Sequence, residues 1–278
     1  MLPDAATQDL LYVSNVRTVT VYSYRQGKLE GKLKGFYRTG GECVDKIGDV
    51  FITNTGTGGV FEYARGGKKP LRILKTYGGG PLGCSVDPTT GNLAVSSLNA
   101  GSTDGAVAIY KNARGKPTMY RDSAFKGYYF CGYDAQGDLF VDGQDSSLNF
   151  EFAELPKGVS GFKTITLNQK IGWPGGVQWD GKYVAVGDQN TPVIYQFAIT
   201  GSDGTKVGST PLGGHARDVF QFFILGQKVM APNEYFAKSQ ALSDVLFYKY
   251  PVGGVATKRI TAGVDFAEGV VVSLAPSR

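Results

Sequence analysis

One histidine, three cysteines and two tryptophans are all that 278 residues contain of those types. The lone His215 sits in GGHARD beside Arg217 and Asp218. A His–Asp pair supports acyl transfer only beside a nucleophile, and the sequence holds no GxSxG elbow, P-loop, dinucleotide fingerprint or HExxH. An odd number of cysteines argues against a disulfide framework. Apolar runs near the ~20 residues of a membrane span are missing, so no span is expected. The opening MLPDAATQDL lacks a basic n-region and an apolar h-region, so no signal peptide is expected there. There is no amphipathic helical segment, and the basic residues form no stripe with interleaved aromatics, which excludes a nucleic-acid partner as an expectation. The group Lys28, Lys32, Lys34 and Arg38 reads as a solvated outer strand that repels strand addition.

Forty glycines and period-two apolar patterning fit an all-β chain with many tight turns. One unit recurs: a short apolar strand, an Asp-led turn, a β-branched strand, then an aromatic strand. Copies begin at Cys43, Cys84 (CSVDPTTGNLAVSS), Cys131 (CGYDAQGDLFVDG) and Val177 (VQWDGKYVAVGD), with a degenerate one at Phe222. The second strands end at Asn15, Asn54, Ser97, Gly143, Asp188 and Asn233, a spacing of roughly 39 to 46 residues that matches propeller blades. The first repeat lacks an inner strand, and the chain ends in an unassigned run, Gly269 to Leu274. Placing that run as the inner strand of blade 1 closes the ring and leaves no open sheet edge at the seam. The expected fold is a six-bladed β-propeller of four-stranded antiparallel blades, residues 1–278 forming one monomeric domain.

Propellers place sites at a mouth of the central channel, where outer-to-inner and second-to-third loops meet. The polar candidates there are Glu42, Asn54, Asp188, Asn233, Glu268 and His215, with Asn15 and Asp142 at equivalent strand ends. Carboxylate and amide oxygens converging on an axis suit calcium, and the candidate metal set is Glu268, Asn54, Asp188 and Asn233. The alternative is that a repeated Asx at a turn bonds its own backbone. Tyr129 and Trp173 complete a mouth fitted to a small molecule, carbohydrate or peptide. A strand cannot bury the three consecutive aromatics Tyr128, Tyr129 and Phe130 on one face. Cys43, Cys84 and Cys131 share one inner-strand register. Diverging strands should hold their Cα atoms beyond the ~7 Å disulfide limit, leaving buried thiols or, with His215, a thiolate metal site.

The strings VDPTTGNLAVSS, YDAQGDLFVDG and VQWDGKYVAVGD, each followed by an aromatic strand, resemble the NHL-repeat and SMP-30/gluconolactonase-like six-bladed propellers over Leu10 to Leu274. The resemblance implies a divalent cation at the mouth, with Ca2+ as the candidate, and Glu268 looks like the glutamate of the first blade. The Asn-Gly of the lactonase branch stands here as Gly175-Gly176, and Leu82 and Tyr129 bring no oxygen ligand. It leaves a ligand-binding propeller as the leading expectation and a metal-dependent hydrolase or lactonase as the alternative. An exported bacterial protein, extracellular or periplasmic, is the expected setting.

Overall fold

A computed structural model describes residues 1–276 apart from 3, 4, 6, 78, 100–103, 215, 238 and 239; for 235–237 and 240–242 it describes the backbone alone. Six antiparallel sheets stand in a ring. Blade 1 orders its strands as Gly269–Ser273, Leu10–Ser14, Thr18–Ser23 and Leu29–Lys34, so the carboxy-terminal run is the innermost strand, paired Leu10 to Ser273 and Ser14 to Gly269. The inner strands of blades 2 to 6 are Thr39–Val44, Pro81–Val86, Gly127–Tyr133, Pro174–Trp179 and Phe223–Leu225.

The repeated Asp shapes each inner-to-second turn. The Asp134 Oδ1 accepts the N–H groups of Gln136, Gly137 and Asp138, all at 2.9 Å, and Asp45, Asp87 and Asp180 cap their own turns in the same way. A short polar side chain that satisfies its own backbone competes with strand continuation, so the chain turns there. The β-branched and aromatic strands that follow bury their side chains between neighbouring blades: Phe51, Tyr110, Phe152, Phe197 and Tyr248 are all nearly inaccessible. At the YYF triplet a register shift between Tyr128 and Cys131 relieves the one-face conflict. Tyr128 and Phe130 are buried and Tyr129 is left half-buried.

Blade 5 carries an unexpected fifth strand, Thr166–Leu167, paired in parallel with the outer strand Asp203–Pro211. It comes from the connector out of blade 4 and fastens the two blades at the rim.

The degenerate inner strand of blade 6 is only three residues long, and two glutamines supply what it lacks. Gln178, from blade 5, accepts the Ile224 N–H at 2.7 Å and donates to the Ile224 carbonyl at 3.0 Å. Gln221 accepts the N–H groups of Glu42 (2.9 Å) and Val270 (3.2 Å) and donates to the Glu42 carbonyl (2.7 Å). Each amide reproduces the paired donor and acceptor of a strand neighbour. Gln221 thereby ties blade 6 to blades 1 and 2 across the channel.

The structure corrects the expectation for cysteines. Cys43 and Cys84 form a disulfide, with Cα atoms 5.7 Å apart. Inner strands approach more closely than assumed because glycines lie between them. A Cβ on Gly40 would stand 2.8 Å from the Leu82 carbonyl oxygen, and one on Gly83 2.8 Å from Tyr129 O and from Phe130 Cα. Cys131 is a free, buried thiol, pushed up to about 12 by burial.

Candidate functional site

The Asx residues at second-strand ends share one job. Each offers a side-chain oxygen to a backbone N–H of the loop or strand start entering its own blade. Asn15 takes Asp265 N–H (2.8 Å), Asn54 takes Tyr37 (3.0 Å), Asp142 takes Phe130 (2.7 Å) and Asn233 takes Arg217 (2.6 Å). Asp188 takes four donors: Gly172 (3.0 Å), Trp173 (3.2 Å), Asn190 (3.0 Å) and the Thr191 hydroxyl (2.9 Å). The Asn233 amide also donates to Asp244 at 3.0 Å.

These bonds decide the fit to a cation. A calcium ion needs about six to eight hard oxygens. Of the candidate set, Asn54, Asp188 and Asn233 have oxygens engaged by main-chain N–H groups, and only the Glu268 carboxylate is unengaged by a described hydrogen bond. Among the described residues no group of three or more His, Cys, Asp or Glu side chains is placed to hold a metal ion. The donor set does not fit a resident cation. His215 lies outside the described residues.

Glu42 heads no open surface. It is fully buried; the Ser14 hydroxyl donates to its Oε1 at 2.8 Å and its Oε2 has no partner. Burial pushes its pKa up to about 8, against the lowering effect of the Ser14 bond. Asp142 is likewise buried, raised well above the usual carboxylate range by burial, with Oδ2 unpartnered. Tyr129 donates its hydroxyl to Gln144 Oε1 (2.7 Å) and meets the Trp173 ring edge-on, centroids 6.3 Å apart. The two aromatics form a half-buried shelf on the blade 4–5 side of the mouth.

Across from that shelf, sequence reasoning found Glu268 and missed its neighbours. Glu268 sits where the loop turns into the innermost strand, its N–H donating to the Ser14 carbonyl at 3.1 Å. Glu234 lies one residue past Asn233, bridged through its backbone to Asp218. Burial raises Glu234 to about 7, with repulsion from Glu268, Asp218 and Asp265 adding to it. Burial also raises Glu268 to about 7, opposed by the Arg38 guanidinium. Neither glutamate has a described hydrogen-bond donor on its carboxylate, so these are charged groups crowded at a mouth without saturation.

The loops around them are strained in a repeated way. Arg38 (φ 58°) and Phe266 (φ 47°) are both left-handed, and each directly follows the residue whose N–H a strand-end Asn captures. Such conformations cost non-glycine residues energy and persist where the surroundings enforce them. Here they leave Arg38, Tyr37 and Phe266 exposed around the carboxylates, with the Arg17 guanidinium 5.3 Å from the Tyr37 ring centre. The signal that would have found Glu234 is its place beside Asn233, the latch residue of blade 6.

No protein-family model and no curated protein matches the sequence. Solved structures do match in fold. A chain of the nidogen/laminin complex superposes with a TM-score of 0.75 at 12% identity, covering 97% of this chain and 100% of that one. A protein of unknown function from Bacteroides caccae superposes with a TM-score of 0.73 at 11% identity, covering 96% and 99%. At such identities the likeness establishes the six-bladed propeller fold alone.

Proposed function

We propose that the chain is a binding propeller whose channel mouth takes a cationic group, a lysine or arginine side chain of a partner or a small amine, at Glu234 and Glu268. The observation that carries this reading is the crowding of those two glutamates with Asp218 and Asp265, with Arg38 as the neighbouring cation. An incoming ammonium or guanidinium relieves the repulsion and stabilises the ionised forms. Exposed Tyr37 and Phe266 add the aromatic surface that accompanies such recognition. That one matched structure belongs to a complex of two proteins agrees with an interaction role without identifying a partner. The alternative, a metal-dependent hydrolase or lactonase of the SMP-30-like type, has less support, because Asn54, Asp188 and Asn233, three of its four candidate ligands, already give side-chain oxygens to main-chain N–H groups. The Cys43–Cys84 disulfide supports an oxidising compartment, extracellular or periplasmic.

The test is calorimetric titration with trilysine at pH 6 and pH 8. Because the glutamates ionise near 7, affinity should rise about tenfold across that interval, and Glu234→Gln with Glu268→Gln should remove both the rise and most of the binding. Ordinary surface carboxylates are fully ionised by pH 6, so an affinity that ignores pH, or survives the double substitution, defeats the reading.

A further inference from the structure

We propose that the end of the ring opposite the mouth rests on a lipid bilayer bearing anionic headgroups, with Ile47 and Leu274 entering the headgroup layer and the lysines around them meeting lipid phosphates. The inner-to-second and third-to-outer turns lie at that end, because each pair of antiparallel strands that leaves the mouth must turn back there. This surface does not depend on the mouth reading.

Two aliphatic residues come together at the seam of the ring. Ile47 stands in the blade 2 turn that Asp45 caps and is 66% exposed; Leu274 directly follows the innermost strand Gly269–Ser273 and is 48% exposed. The Ser273 hydroxyl donates to the Gly48 carbonyl at 2.7 Å, and a Cβ on Gly48 would stand 3.5 Å from the Leu274 carbonyl oxygen. Ring closure therefore sets the end of one strand against the turn that carries Ile47. A single exposed aliphatic residue is ordinary, but two at adjoining positions inside a cationic border are what an interfacial surface presents.

That border can be followed from contact to contact. Lys46 is exposed beside Ile47. The Ala275 N–H donates to Asp9 Oδ1 at 2.9 Å, and Arg25, its side chain 85% exposed, meets Asp9 Oδ2 at 3.4 Å. Lys258 of blade 6 donates from Nζ to the Tyr24 and Arg25 carbonyls at 3.2 and 3.0 Å, and the Lys228 Nζ stands 5.8 Å from the Tyr24 ring centre. Blades 6, 1 and 2 thus share one arc of positive charge. Among the described residues no salt bridge reaches Lys46, Lys228 or Lys258. The nearby acids are engaged within the fold, Asp45 by the Ile47 and Asp49 N–H groups and Asp9 by Ala275 and Arg25. Burial and then the charge of Lys228 push the Lys258 ammonium below its ordinary value, and a lipid phosphate would relieve that repulsion.

The combination selects the partner. A soluble polyanion would use the cations and leave Ile47 and Leu274 in water, whereas a bilayer surface takes aliphatic side chains between headgroups whose phosphates meet the lysines. Among the described residues no helix is long and apolar enough to cross a membrane, so the contact proposed is with the bilayer surface.

Co-sedimentation with vesicles of phosphatidylcholine, alone or with a third phosphatidylglycerol, tests the proposal, and heparin serves as the soluble polyanion. The protein should bind the anionic vesicles at least about tenfold more tightly than the neutral ones, and about 0.5 M salt should remove most of that binding. Lys46→Ala with Lys228→Ala, both at exposed positions, should weaken vesicle binding on the order of tenfold or more. Ile47→Ser should weaken vesicle binding severalfold and leave any heparin binding unchanged. Glu234→Gln with Glu268→Gln should leave vesicle binding intact, which separates this surface from the mouth. Failure to bind anionic vesicles, equal binding to neutral ones, or an Ile47→Ser variant that binds vesicles as the wild type does would overturn the proposal, the last by reducing the surface to a patch for soluble polyanions.

Discussion

The two ends of the channel use carboxylates in opposite ways. At the inner-to-second turns, Asp180 is saturated: Lys182 and Tyr183 N–H groups reach Oδ1 at 2.8 and 2.7 Å, and the Gln196 amide and Tyr250 hydroxyl reach Oδ2, both at 2.7 Å. Burial would raise its pKa, but those hydrogen bonds outweigh it and hold the group below its ordinary value; Asp87 behaves likewise through Thr90 and Thr89. At the mouth, Glu234 and Glu268 are buried to a similar purpose by geometry alone, without donors, and are pushed up instead. Asp180 and Asp87 engage their oxygens within the fold; Glu234 and Glu268 accept no described hydrogen bond on theirs. The same rule separates Asp188, with four donors, from Glu268, though the sequence presents both as acids at a strand end beside the mouth.

The sharpest way to break this contrast is at the rigid end. The Cys43–Cys84 bridge closes a sequence separation of 41 residues, so replacing both cysteines by serine should cost about 3–4 kcal/mol on the loop-entropy account. The urea midpoint of the double variant, against wild type with its bridge verified by mass, checks it. No change would mean that the inner strands of blades 2 and 3 are held by packing alone.

A smaller effect, near 3 kcal/mol, is expected for Asp180→Ala, because it strips partners from the Tyr250 hydroxyl and the Gln196 amide as well as from the turn. Urea unfolding at pH 7 measures it. A loss within about 0.5 kcal/mol, the level of an ordinary surface substitution, would show that saturation of a carboxylate is no guide to structural importance here.

Ring number and closure were legible because they rest on local chemistry. The Asp-led turns, the aromatic third strands and the unpaired GVVVSL run each state a strand or a turn without needing its distant partner. What stayed hidden depends on distances across the axis. The cysteine register was readable, but the conclusion turned on how far apart inner strands stand, and the glycines at Gly40 and Gly83 set that separation. Gln221 carried no signal at all: a glutamine among apolar residues becomes a strand substitute only because the blade 6 inner strand stops at three residues. At the mouth, Glu268 was visible as a polar residue heading an apolar strand. Glu234 lies inside a strand, and only the approach of Asp218 and Asp265 makes it a neighbour of Glu268.

The smallest expected effect discriminates best, because its sign differs between the two ends. Glu234 and Glu268 have folded-state pKa values near 7 against an ordinary 4.5, and Glu42 about 8. A carboxylate raised on folding contributes stability that is fully present below its unfolded value and is lost as pH climbs through the folded one. Between pH 5 and pH 8 these three therefore make the protein less stable as pH rises. Asp87 and Asp180, lowered on folding, change their contribution only as pH falls below the usual carboxylate range. Glu234→Gln with Glu268→Gln should leave the urea midpoint at pH 5 nearly unchanged and raise stability at pH 8 by about 1 kcal/mol, solvent screening of half-buried groups holding it to that size. The part of the pH slope that remains should belong to Glu42 and Asp142, both raised by burial, and should shrink with Glu42→Gln, whose amide still accepts from Ser14. If the double substitution instead lowers stability at pH 8, as is expected of Asp180→Ala, the mouth glutamates serve the fold and are not held in reserve for a partner.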